Sequence, residues 1–230
     1  MTDRVPPSPR DEDFSAHRMG AFADAVLAIA ITLLVIEIKR PEGEDLASPH
    51  ALAEFLWHEK ASFVAFVLAF FLLWSVWRRH HTLIDEVDRL DRATAASHAP
   101  LLLLAAFLPF PTAIFGHAPD NKLAACLFAA TAAALFGCEA VMKEFAWRRA
   151  ILKPGVDRSK IRMSAGASVS VTVVFAVTAG LVWVTPWIWF IWFFAPLAAY
   201  FGGKLSERIR PDVIDRAPER QAEQMAQTRT

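Results

Sequence analysis

Arg18 and Asp24 stand at the entrance of the apolar run Ala25-Val-Leu-Ala-Ile29-Ala-Ile-Thr32-Leu-Leu-Val-Ile36. An ionisable group at that depth of a membrane costs about 3 kcal/mol unless it pairs or lines a water-filled path. The two charges therefore mark a candidate functional site. A second cluster, His80-His81-x-x-x-Asp85-Glu86, puts His81 and Asp85 four residues apart on one helix face, as two metal ligands could lie. A catalytic metal needs a third strong ligand. His17 and His98 are only candidate neighbours on the same side, while His50, His58 and His117 fall on the opposite side of the membrane. A helix-end ion pair is the expectation, with no metal, no cofactor and no enzymatic activity. Cys126 and Cys138 fall on one predicted helix about 18 Å apart, too far for a disulfide.

The elements that must position these groups are membrane helices. The chain has 230 residues, 55% of them hydrophobic, with eight Trp and eighteen Phe, more apolar surface than a soluble domain of this length requires. The apolar residues form six runs, 19–38, 61–77, 99–115, 123–142, 164–184 and 187–202, and a run of about 20 residues spans the hydrocarbon. Strand-type alternation is missing, so the reading is an all-α membrane protein and not a barrel. The last two runs meet at Thr185-Pro186, which predicts a tight hairpin. Residues 14–210 form the transmembrane domain. The polar stretches 1–13 and 211–230 read as disordered tails, and the N-terminus carries no cleavable signal peptide.

Charge supplies an orientation. Of the 24 Lys and Arg residues, all but Lys39, Arg40, Lys60 and Lys122 fall on the side of the two termini. The positive-inside rule puts that side, and both termini, in the cytoplasm of a plasma membrane. The net charge of zero argues against a nucleic-acid partner. The basic loop 143–162 could meet anionic headgroups of membrane lipids. Trp183, Trp187, Trp189 and Trp192 read as interfacial anchors at the outer turn.

At 100° per residue, Ile29, Thr32, Leu33 and Ile36 share a sector of about 100°, and Asp24 projects roughly 140° from Ile29. The first helix thus has an apolar row with one hydroxyl, and a second face with Asp24, Ala28 and Val35 suited to close helix approach. Trp77 could donate its indole N–H to Asp24, and His80 or His81 an imidazole N–H. This predicts a buried Arg/Asp/His/Trp cluster that locks the first helix.

Arg18-x-x-x-Phe22-Ala23-Asp24, followed by Ile29-Ala-Ile-Thr32-Leu-Leu, closely resembles the opening signature of the transmembrane protein 175 family of potassium channels. Trp77-x-x-His80-His81 and Pro109-Phe110-Pro111-Thr112 resemble two further motifs of that family, in the same order. Ala23 departs from the pattern by replacing a serine, which removes one hydroxyl from the site. The resemblance, to the bacterial single-repeat type, implies a homotetramer whose four first helices line the pore at Ile29, Thr32, Leu33 and Ile36. Arg18, Phe22, Asp24, Trp77, His80 and His81 would form the supporting polar network. The conducted ion would be K+ or another monovalent cation, passing an apolar constriction in a bacterial inner membrane. The carbonyl filter motif Thr-Val-Gly-Tyr-Gly is missing from the sequence, and apolar constrictions gate by dewetting.

A secondary transporter is the rival reading. It predicts helices interrupted at matching places in two halves. Pro109 and Pro111 interrupt the third run, and only Pro196 answers them in the second half.

Overall fold

The computed structural model describes residues 16–87, 92–148, 153, 156 and 158–209. The expected tails, 1–13 and 211–230, lie outside the described residues. Eight α-helices are present among them: α1 (Ala16–Ile36), α2 (Pro49–His58), α3 (Lys60–Glu86), α4 (Arg92–Phe107), α5 (Pro109–His117), α6 (Lys122–Arg148), α7 (Arg158–Leu181) and α8 (Ala195–Ile209). Six spans are long and apolar enough to cross a membrane: Ala16–Ile36, Lys60–Glu86, Ala95–His117, Lys122–Trp147, Ser159–Leu181 and Trp187–Ile209. They correspond in order to the six apolar runs.

Local chemistry explains the boundaries. Ser48 caps α2 by accepting from the Ala51 N–H at 3.1 Å, with Pro49 in the first turn. Asn121 Oδ1 accepts from the N–H groups of Leu123 (2.9 Å) and Ala124 (3.3 Å) and so starts α6. The third span is divided into α4 and α5 at Leu108, where Pro109 and Pro111 have no N–H to offer the carbonyls one turn back. Leu108 keeps helical dihedrals and its N–H still donates to the Leu104 carbonyl at 3.0 Å, so α4 and α5 continue one span across this interruption.

Three features depart from the sequence reading. The loop between the first two spans holds a short 3-10 turn (Gly43–Leu46) and the helix α2. The sixth span opens as a 3-10 segment, Pro186–Phe194, before α8 begins. α6 runs on to Arg148, which places Lys143 in a helix and not in the basic loop.

α1 packs against α3, α4 and α5, while α7 lies between α6 and α8. The core is an aromatic knot in which Trp192 meets Phe115, Phe128 and Phe175 at ring-centroid distances of 5.3, 5.1 and 5.7 Å. Trp192 is fully buried and its indole N–H donates to Thr178 Oγ1 at 2.8 Å. It is therefore a core residue and not the interfacial anchor expected of it; Trp183 and Trp187 do remain exposed. Both cysteines are free.

Candidate functional site

The burial pattern of α1 divides the helix. Gly20, Ala23, Leu27, Ala30 and Leu34 are buried at the three- and four-residue spacing of one helix face. Their side chains, none of them β-branched and three of them no larger than a methyl group, let α3 approach closely, and a methyl group on Gly20 would already press on Ile84 at 3.0 Å. The opposite face stays uncovered. Ile29 and Ile36 are 59% and 57% exposed, Leu33 is 38% exposed, and Thr32 is exposed beside them. Thr32 Oγ1 donates to the Ile29 carbonyl at 2.8 Å, which uses its proton and leaves its oxygen lone pairs outward. Ala28 and Val35, expected against neighbouring helices, are instead exposed; Ala23 and Leu27 fill that place.

Asp24 lies at the edge of the packed face. Trp77 Nε1 on α3 donates to Asp24 Oδ1 at 2.9 Å. His81 Nδ1 lies 3.7 Å from Asp24 Oδ2, and its Nε2 lies 3.7 Å from Asp85. The ring of His81 stacks on Trp77 at 5.7 Å, because residues four apart share a face of α3.

The structure does not bring His80 or Phe22 to Asp24. His80 is one position round the helix, fully buried, and meets His98 of α4 edge-to-face at 5.2 Å. Neither of its ring nitrogens has a hydrogen-bond partner among the described residues. Phe22 is 59% exposed, on the same side of α1 as Ile29 and Leu33, since about 700° and 1100° of helical rotation separate it from them, each close to whole turns. Arg18 sits exposed in the first turn of α1.

A second charged cluster escaped the sequence reading. Glu139 on α6 is completely buried and accepts from Arg79 Nε at 2.8 Å, Arg79 Nη2 at 3.1 Å and Lys143 Nζ at 2.6 Å. Lys143 Nζ also donates to Ser168 Oγ at 3.0 Å and to the Ser164 carbonyl at 3.3 Å. Three acceptors match the three protons of an ammonium group. The cluster ties α3, α6 and α7 together through charge-assisted bonds. Its signal was a carboxylate inside the fourth apolar run with a lysine four residues on.

No group of three or more His, Cys, Asp or Glu side chains able to hold a metal occurs among the described residues. Six apolar crossings, with one helix tethered by a carboxylate and bare on its far side, define a multi-pass all-α membrane protein. The family described as the endosomal/lysosomal potassium channel TMEM175 matches residues 18–109. A potassium channel of Chamaesiphon minutus is 32% identical over 160 residues, which is 65% of this chain and 75% of that protein. A potassium channel of Streptomyces collinus is 37% identical over 97 residues, 42% of this chain and 46% of its own length. The human endosomal/lysosomal proton channel TMEM175 is 26% identical over 164 residues, 68% of this chain and 32% of the human one. The crystal structure of a lysosomal potassium-selective channel TMEM175 homologue from Chamaesiphon minutus superposes with a TM-score of 0.65 at 26% identity, covering 83% of this chain and 95% of that one.

The chain belongs to the TMEM175 family. Its relatives are ion channels, not enzymes.

Proposed function

We infer that the chain is a potassium-permeable cation channel, assembled as a homotetramer whose four α1 helices surround the ion path in a bacterial inner membrane, with both termini cytoplasmic. The observation that carries this reading is the bare face of α1. A helix anchored by Ala23, Leu27, Ala30 and Leu34 on one side presents Ile29, Thr32, Leu33 and Ile36 on the other. Symmetry-related copies of that face would meet around a common axis, and rings of isoleucine and leucine would form an apolar constriction with Thr32 as its polar ring. Such a path dewets when narrow, so modest side-chain movement switches conduction. Asp24, Trp77 and His81 then fix the rotation of α1 and keep the row on the axis.

The human relative is a proton channel. Between Phe22 and Ile36 the bare stripe of α1 carries no titratable side chain and Thr32 is its polar member, which favours K+ conduction in this chain. The rival transporter reading gains one observation: the third span is divided at Leu108 and the sixth changes helix type at Ala195, in corresponding halves. The aromatic knot of Phe115 and Trp192 fills the core, and its polar pair, Trp192 Nε1 and Thr178 Oγ1, is bonded to itself and not turned to a substrate.

Reconstitution into vesicles with an outward K+ gradient separates the readings. Wild-type protein should pass K+, and Ile29→Asn should raise the flux by wetting the constriction. A transporter would instead lose turnover on that substitution, and unchanged flux and selectivity would remove Ile29 from the path.

A further inference from the structure

A crevice of about 510 Å³ opens between α3, α6, α7 and the sixth span. Phe71, Phe136, Val171 and Phe193 form its walls, and Phe71 and Phe193 stay exposed at its mouth. It is apolar along its length, yet Ser75, Arg78 and Arg79 gather at one end. From Val67 to Arg78 the crevice follows α3 for about 17 Å, close to the thickness of one leaflet of a hydrocarbon core of about 30 Å. Its volume falls within the range of about 300–1,000 Å³ typical of ligand sites.

The charged end carries its free positive charge at Arg78. Arg79 is already paired with Glu139, a carboxylate that Lys143 shares. Arg78 is exposed and makes no ion pair among the described residues. Lys204 adds a further cation, its ammonium 4.6 Å from the ring of Tyr200, which also lines the crevice. An apolar slot of leaflet depth ending in guanidinium groups is complementary to an amphiphile with an anionic head.

We propose that this crevice is a binding site for an anionic phospholipid, with one acyl chain lying between α3 and the sixth span and the phosphate received by Arg78 and Arg79. Arginine suits a phosphate because its planar fork donates two parallel bonds. Arg79 turns its Nε and Nη2 to Glu139, with Nη2 also 3.3 Å from Ser75 Oγ and the Phe136 ring 5.1 Å from its guanidinium carbon, so it offers the phosphate its Nη1 while the fork of Arg78 stays whole. The head site is thereby preorganised, while Arg78 is free to close over the phosphate. The site is on the opposite side of α3 from the Asp24 tether and involves no residue of the α1 row, so it stands apart from the conduction reading.

Native mass spectrometry of the detergent-solubilised protein, equilibrated with equal amounts of phosphatidylglycerol and phosphatidylcholine, tests it. Wild-type protein should retain phosphatidylglycerol in preference, and Arg78→Gln should cut that preference about fivefold, corresponding to the ~1 kcal/mol of one basic side chain at a charged membrane surface. Ala199→Trp, which fills the crevice from α8, should reduce retention of both lipids. Equal retention of the two lipids by wild type, or an unchanged preference in Arg78→Gln, overturns the proposal. So does an Ala199→Trp variant that loses its oligomers while keeping its lipid, since a second copy of the chain would then be the occupant.

Discussion

At the scale of single residues, two buried or half-buried carboxylates organise the molecule in different ways. Asp24 is half-exposed and receives an indole N–H and an imidazole edge. Glu139 is fully enclosed and receives three N–H bonds from two cations. Removing the first partner set costs little, because a half-exposed carboxylate can turn to water. Trp77→Phe should therefore destabilise the protein by only ~1 kcal/mol, measured as the midpoint of denaturation in detergent, while altering conduction through the rotation of α1. Glu139→Ala strands a lysine and an arginine in the interior and should cost about 3–5 kcal/mol in the same measurement. An equal effect of the two substitutions would contradict this ranking. The Asp24 site was legible because Trp77 and His81 recur at helical spacing beside a lone carboxylate. Which of the adjacent histidines faces Asp24 was not, since both His80 and His81 lay at the helix end and only the phase of α3 separates them. The Glu139 pairing is hidden in the sequence because the apolar run ends at Met142, one residue before Lys143, whereas the helix itself runs on to Arg148.

At the scale of elements, packing is decided by where side chains are small. α7 and α8 cross at Gly166 and Gly202, where a methyl group on Gly202 would overlap Ser170 and approach the Gly166 carbonyl at 2.9 Å. Ser206 Oγ donates to the Arg162 carbonyl at 3.2 Å across the same contact. Close backbone approach through small residues is the usual adhesive between membrane helices. Gly202→Val should force the pair apart and lower the thermal midpoint sharply, whereas Gly180→Ala, whose added methyl meets nothing within 4 Å, should be neutral or slightly stabilising, by up to ~1 kcal/mol. Comparable losses from both substitutions would show that the crossing does not depend on this contact. The six spans were readable from run length alone, because the hydrocarbon core imposes length on every crossing. The helix α2 and the 3-10 opening of the sixth span were not. The first is too short for that criterion, and Pro186 to Phe194 is uniformly apolar, so it has no periodicity from which a helix type can be read. The same uniformity concealed that Trp192 turns inward while Trp187 stays out.

At the scale of the whole molecule, the chain leaves one apolar face of α1 bare. The stripe of Phe22, Ile29, Leu33 and Ile36 could face lipid in a monomer, but it is set opposite a face built for tight packing and is oriented by a carboxylate tether. A helix that only needed to meet lipid would have no use for a fixed rotation. Sequence periodicity identifies the row, and the proposal that it faces a shared axis rests on the channel reading; the number of copies is not encoded in any single helix. The most direct test labels the row in place. In a background where Cys126 and Cys138 are replaced by alanine, Ile29→Cys should allow a charged, membrane-impermeant thiol reagent to block K+ flux from reconstituted vesicles. Val141→Cys, on the exposed side of α6, should be insensitive to the reagent while conducting normally. Block at Ile29→Cys alone is the result expected of a pore lined by α1. Equal sensitivity at both positions, or K+ flux untouched by modification at residue 29, would contradict it.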